Sequence, residues 1–219
     1  MTMLRLAHRG DWRRAPENTV PALLAALDVP GCDGLEFDVR LSSDGVPVLL
    51  HDETLERVQG RPGRVDTIAA RVLEDLGVPS LADVLAAIPH RAFLDVELKD
   101  RHGRAVVEVL AAGRGPGLVH AVVSSFNIET LERVAGLVPT WPRWLNAHDL
   151  EPATIATAVE LGCRAISVQW RAVDARSVAR ARVAGLDVAA WTIRRRPTAT
   201  RLERLGIIAA CVEGAALDG

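Results

Sequence analysis

Cysteine is scarce in this sequence, lysine nearly absent and tyrosine missing. The three cysteines, Cys32, Cys163 and Cys211, are scattered and odd in number, which argues against a disulfide framework and a cysteine-based metal site. No apolar run is long enough to span a bilayer, and Met1 to Ala7 reads as too short for the apolar core of a signal peptide. The expected setting is cytoplasmic, without membrane insertion. Excess charge of one sign is lacking too. A formal net charge of −2 gives no basic face for nucleic acid or for an anionic membrane. Of the 26 Lys and Arg residues, Lys99 alone is lysine. Abundant alanine and arginine mark a compositional drift along the whole chain. What remains is ordinary for a globular protein: 219 residues, 49% hydrophobic, expected to form one domain over residues 1–219 around a large core.

The most informative stretch is Leu35-Glu36-Phe37-Asp38-Val39. Apolar and acidic residues alternate with period two, so a strand would place Glu36 and Asp38 on one face and Leu35, Phe37 and Val39 on the other. Two carboxylates on one strand face repel unless a cation lies between them, and an oxygen-only pair suits Mg²⁺ or Ca²⁺. A wet edge strand would show the same pattern, so the rest of the chain has to decide.

Leu4 to His8 reads as a strand ending at Arg9-Gly10. Asn18 is placed as the N-cap of a helix through Leu23, Leu24 and Leu27, closed by Pro30-Gly31. Gly34 to Leu41 and Val46 to Leu50 form a hairpin about Asp44, which returns His51 opposite Glu36 and Asp38. Glu53 to Pro79 reads as an irregular, polar insertion. Six further strands follow, near 92–98, 120–125, 141–146, 165–170, 187–192 and 209–213. Helices separate them near 104–112, 128–137, 153–161, 175–184 and 198–205, and a Ser80-capped helix precedes the first of them. Strict alternation means a parallel sheet with right-handed crossovers. Eight strands, excluding the hairpin return, predict a (β/α)₈ barrel whose eighth helix is missing or vestigial. A doubly wound open sheet is the alternative, but no Gly-rich phosphate loop follows the first strand.

Barrel function sits at the C-terminal ends of the strands. Strand one ends His8-Arg9-Gly10, the hairpin ends His51-Asp52, and the third barrel strand carries Asp95, Glu97 and Lys99 on one face. Glu36, Asp38 and Glu97 are therefore candidate ligands of one divalent cation, Mg²⁺ or Ca²⁺, with Mn²⁺ also compatible. Arg9 and Lys99 suit a phosphate. His8 and His51 are candidate acid and base for cleaving a phosphodiester. The alternative makes the imidazoles metal ligands, which would favour Zn²⁺. Asp52 either orients His51 or caps its loop. Asp95 sits deeper, as support for the site or partner of an arginine. His90, His102 and His120 read as structural.

These residues resemble the glycerophosphodiester phosphodiesterase family. The likeness rests on His8-Arg9-Gly10 with Pro16-Glu17-Asn18-Thr19, on Glu36-Phe37-Asp38-Val39, on Gly45-Val46-Pro47-Val48 before His51-Asp52, and on Glu97-Leu98-Lys99. Ser124-Ser125-Phe126-Asn127 and Trp191-Thr192-Ile193 add two later landmarks. The resemblance implies a metal-dependent barrel enzyme that hydrolyses glycerophosphodiesters, as its small-molecule partners, to glycerol 3-phosphate and an alcohol. It implies Glu36, Asp38 and Glu97 as metal ligands, His8 and His51 as the acid–base pair, and Arg9 and Lys99 as phosphate ligands. Glu17 and Trp191 are implied beside the substrate. It also implies attack by the glycerol 2-hydroxyl, giving a cyclic phosphate that water opens. Arg194-Arg195-Arg196 and Cys211-Val212-Glu213-Gly214 depart from the family pattern, and both lie at the expected barrel mouth. A phospholipase D-like lyase that stops at the cyclic phosphate, and a non-catalytic diester-binding barrel, are the competing functions. Oligomeric state is left open.

Overall fold

The computed structural model describes residues 2–99 and 103–218. Nine strands form one sheet: β1 (Leu4–His8), β2 (Gly34–Leu41), β3 (Pro47–Leu49), β4 (Phe93–Leu98), β5 (Ala121–Ser125), β6 (Arg143–Ala147), β7 (Ala165–Gln169), β8 (Asp187–Ile193) and β9 (Ala209–Val212). Eight of these run parallel, and β1 pairs with both β2 and β9, which closes the ring. The fold is a (β/α)₈ barrel, and the open-sheet alternative is excluded. β3 pairs antiparallel with the outer end of β2, Val39 opposite Leu49, so the hairpin stands above the ring.

The helices are α1 (Val20–Leu27), α2 (Glu56–Gln59), α3 (Ala70–Asp75), α4 (Leu81–Ala87), α5 (Arg104–Arg114), α6 (Ile128–Leu137), α7 (Pro152–Glu160), α8 (Ala175–Val183) and α9 (Arg196–Arg204). Helical spacing turns an apolar stripe of the barrel helices toward the strands, as Val106, Val107 and Leu110 of α5 and Leu131 and Val134 of α6 show. The opposing strand faces, including Leu35, Phe37 and Val39, complete the main core. After β9 the described chain has a single 3₁₀ turn, Gly214–Ala216, in place of an eighth helix.

Two expectations need correction. The α1 cap is Thr19, whose side chain accepts from the Ala22 amide, not Asn18. The insertion after the hairpin is not irregular. It holds α2, α3 and a 3₁₀ turn, and Leu55, Val65, Leu73 and Val78 pack with Val48 and Leu50 as a small separate core.

Glycine is required at two places below and beside the site. Gly34 opens β2 where a Cβ would lie 2.1 Å from the Phe93 carbonyl oxygen, so any side chain would part β2 from β4. Gly10 has φ +84° and would place a Cβ 2.6 Å from the Ala22 backbone, so the first loop lies directly on α1.

Candidate active site

The floor of the barrel is apolar. Leu6, Val122, Trp144, Ala165, Ala189 and Ala209 form a closed interior cluster, with Phe93 against it. Side chains two residues further along a strand share its face and stand one layer higher. Stepping by two from the floor gives His8, Asp95, Ser124, Asn146, Ser167, Trp191 and Cys211; β2 supplies Glu36 and then Asp38. Strand register completes the layer: His8 is opposite Glu36, Glu36 opposite Asp95, Asp38 opposite Glu97 and Glu97 opposite Ser124. Above the floor lies a cavity of about 350 Å³ lined by most of these groups. Of the residues expected from sequence, His8, Arg9, Glu36, His51, Glu97, Lys99 and Trp191 line it. Asp38 lies fully buried in its wall, and Glu17 stands outside the lining.

One oxygen from each of Glu36, Asp38 and Glu97 can be chosen so that all three lie within 4.8 Å of one another. Both Glu36 oxygens are buried without a hydrogen-bond partner among the described residues. Burial, then Asp38, Glu97 and Asp95, push the Glu36 carboxyl well above the usual range. Burial likewise pushes Asp95 up, to about 7, although Ser124 donates to it. Burial opposes ionisation of Asp38 as well, but Lys99 and Arg9 hold it well below the usual range. Lys99 Nζ is 2.9 Å from Asp38 Oδ1 and also pairs with Glu97, while Arg9 Nε is 3.0 Å from Asp38 Oδ2. Among the described residues the set therefore has less positive charge on its Glu36 side than beside Asp38. Hard oxygen donors with a bare buried carboxylate among them fit a divalent cation such as Mg²⁺, Ca²⁺ or Mn²⁺.

Each imidazole is backed by a carboxylate. His8 Nδ1 is 2.5 Å from Glu213 Oε1, and its Nε2 is 3.8 Å from Glu36 Oε2. His51 Nδ1 is 2.6 Å from Asp52 Oδ1. A carboxylate acceptor fixes the proton on Nδ1, which leaves both Nε2 atoms for exchange. Burial holds His51 below the usual imidazole range; Lys99 and Arg9 act the same way, and Asp38 and Asp52 oppose them. The hairpin holds His51 in place: Leu50 N donates to Asp38 O at 3.1 Å, and Arg40 Nε donates to His51 O at 2.9 Å.

The first loop contributes more than the sequence suggested. Asn18 is buried, donates to Asp38 Oδ2 at 2.9 Å and accepts from the Asp38 amide at 3.2 Å. Arg9 and Asn18 both adopt left-handed backbone, φ 59° and 57°, a conformation that costs about 1–2 kcal/mol for most residues. Hydrogen bonds from Arg9 N to Glu36 O and from Asn18 N to Arg9 O hold it. Glu17 pairs with Arg9 and Arg57, and Arg57 pairs with Asp52. Its carboxylate thus ties the Arg9 loop to the His51 loop.

Other lining residues were overlooked. Phe126 and His148, given no role from sequence, form an aromatic triangle with the expected Trp191, with centroids 5.4–5.5 Å apart on one wall. Ser125 donates to Leu98 O and Asn127 caps α6, which fixes Phe126 between them. Asp95 has the Cys211 thiol 4.0 Å away, and among the described residues no arginine pairs with it. His90 precedes β4 and His120 precedes β5, away from the cavity; His102 lies outside the described residues.

Two carboxylate-backed imidazoles, an acidic cluster and fixed cations meet in one cavity, and this chain is a phosphoric diester hydrolase. The model of the Glycerophosphoryl diester phosphodiesterase family matches residues 8–215, and the chain belongs to that family. A glycerophosphodiester phosphodiesterase from Caldanaerobacter subterraneus subsp. tengcongensis is 29% identical over 85% of this chain and 93% of its own. A phosphodiesterase structure from Oleispira antarctica, in complex with its product sn-glycerol-3-phosphate, has a TM-score of 0.84 at 27% identity, covering 96% of this chain and 93% of that one. The glycerophosphodiester phosphodiesterase structure from Thermotoga maritima shares the fold, with a TM-score of 0.81 at 22% identity over 100% and 96% of the two chains. Among the described residues no helix is long and apolar enough to cross a membrane.

Proposed function

We propose that the chain hydrolyses glycerophosphodiesters to glycerol 3-phosphate and an alcohol, using a divalent cation held by Glu36, Asp38 and Glu97 and acid–base catalysis by His8 and His51. The observation that carries this reading is the pair of carboxylate-backed imidazoles beside a buried Glu36 that has no hydrogen-bond partner among the described residues. The product bound to the Oleispira antarctica relative supports it. When bound, the cation would supply Lewis-acid charge neutralisation at a phosphoryl oxygen. Arg9 and Lys99 add fixed positive charge at the cavity wall, available to the remaining phosphate oxygens. Asn18 and Glu17 act by positioning, Asn18 on Asp38 and Glu17 on Arg9.

In this reading His51 Nε2 takes the proton of the glycerol 2-hydroxyl as that oxygen attacks phosphorus, a role in keeping with the burial that lowers its basicity. His8 Nε2 gives its proton to the departing alcohol oxygen. In the second half His8 takes a proton from water, which opens the cyclic phosphate, and His51 returns its proton to the 2-oxygen. Both imidazoles end as they began. The aromatic triangle gives the organic part of the substrate an apolar wall. The substrates are taken to be soluble diesters in the cytoplasm, a reading that rests on composition.

Incubating the enzyme with glycerophosphoglycerol and following glycerol 3-phosphate tests this function. Its release, dependent on added divalent ion and lost in His8→Ala and His51→Ala, is the expected result. A cyclic phosphate as final product would favour the lyase instead.

A further inference from the structure

A second cavity, of about 480 Å³, adjoins the first at the barrel mouth. Trp191 and Thr192 line both, so one side chain's width separates them. The described lining of the second cavity includes Arg171, Arg194 and Arg195 and no carboxylate. Two of the guanidinium groups are held. Arg194 Nε is 2.7 Å from Glu213 Oε2, the carboxylate that also backs His8. Arg171 lies 4.5 Å over the Trp170 ring. Stacking on an indole restricts a guanidinium while its in-plane N–H edge stays available to an anion.

Arginine dominates the basic residues of this chain, so some arginines gather by composition alone. Three facts set this group apart: the wall shared with the catalytic cavity, the lack of acidic neighbours in the lining, and two heads fixed before any ligand arrives. Arg194 and Arg195 follow directly on β8, at the mouth of the barrel.

We propose that this basic annex receives the leaving-group end of the substrate, and that the enzyme prefers glycerophosphodiesters whose alcohol carries its own negative charge. A phosphorylated alcohol suits a cavity lined by three guanidinium groups best, because its oxygens accept several charge-assisted hydrogen bonds at once. A cationic alcohol such as choline would be repelled. The inference rests on the diesterase reading of the adjoining cavity.

The test compares three soluble diesters: glycerophosphocholine, glycerophosphoglycerol and glycerophosphoinositol 4-phosphate. In the wild type, kcat/KM for the phosphorylated substrate should exceed that for the choline ester by roughly tenfold or more at low ionic strength, and salt should shrink the ratio. In Arg171→Ala/Arg195→Ala the ratio should fall toward one, with glycerophosphoglycerol turnover by the same preparation as the internal reference. Calorimetric binding of the same diesters to His51→Ala protein, with and without the two arginine changes, separates the annex from the chemistry. Tighter binding of the phosphorylated diester, lost with the arginines, upholds the annex even if no diester is cleaved. Equal or absent binding, a wild-type preference for choline, or a ratio unmoved in the double variant overturns it. Absence of glycerol 3-phosphate from every substrate would instead overturn the diesterase reading.

Discussion

Glu213 Oε1 lies 2.5 Å from His8 Nδ1, although 205 residues separate them in the chain. Closure of the barrel brings them together, since β1 pairs with β9 and Ala7 is opposite Val212. Glu213→Gln keeps the size but replaces the charged acceptor at His8 Nδ1 with a neutral amide. Turnover should fall by about 10²-fold with little change in KM. The same variant tests a stability effect. Burial raises the Glu213 carboxyl, but His8 and Arg194 outweigh it and hold it at about 2, below its ordinary 4.5. A depressed carboxyl stabilises the fold above its unfolded value and loses that contribution as pH falls toward its folded value. Between about pH 4.5 and pH 2, thermal melts should show a shallower loss of Tm in Glu213→Gln than in the wild type.

Asp52 offers a test with the opposite histidine. It raises the basicity of His51 against the dominant effect of burial. Asp52→Asn removes that support while Arg57 keeps its pair with Glu17, so His51 should become harder to protonate. If His51 must be unprotonated to act, the acidic limb of kcat/KM moves to lower pH. A pH–rate profile whose acidic limb stays fixed, or moves up, would reassign the base.

Glu36 can be separated from its charge. Its buried carboxyl has no hydrogen-bond partner among the described residues and sits among three other acids, so ionisation without a cation is costly. Glu36→Gln should melt at or a few degrees above the wild type in chelator, where about 1 kcal/mol corresponds to roughly 2–4 °C. The stabilisation that Mg²⁺ gives the wild type should be lost, and activity with it. Differential scanning fluorimetry with and without the ion reads both effects.

Lys99 is the sole lysine, and its ammonium bridges Asp38 and Glu97 at the cavity wall. An ammonium is compact, whereas guanidinium is a planar fork with a larger head. Lys99→Arg should keep the fold and the charge but displace neighbouring groups by about 1 Å, which costs on the order of 10²-fold in kcat. Steady-state kinetics with circular dichroism as a folding control decides it. Wild-type kcat in a folded Lys99→Arg would make the lone lysine an accident of composition.

The barrel was legible because each strand and helix carries its own period, and eight alternations leave little topological choice. The acidic face was legible for the same reason on β2 and β4, where acids alternate with apolar residues. Asn146, Ser167, Cys211 and His148 carried a weaker sign: each stands two or four residues beyond a floor residue of its strand, which shows only once the floor is known. Glu213 could not be read locally, since its partner lies at the far end of the chain. Asn18 misled because Asn and Thr side by side are both capping residues, and only the bonds to Asp38 show which is free for another task. The small core of the insertion escaped notice because Leu55, Val65, Leu73 and Val78 follow no single period.

The central claim is a cation-dependent diesterase with glycerol 3-phosphate as product. Phosphorus NMR of glycerophosphoglycerol with the wild-type enzyme tests it most directly, first in chelator and then after adding Mg²⁺, Mn²⁺ or Ca²⁺. The account predicts an unchanged diester in chelator and glycerol 3-phosphate once the ion is added. Full turnover in chelator, recovery with Zn²⁺ alone, or a cyclic phosphate that persists would contradict it.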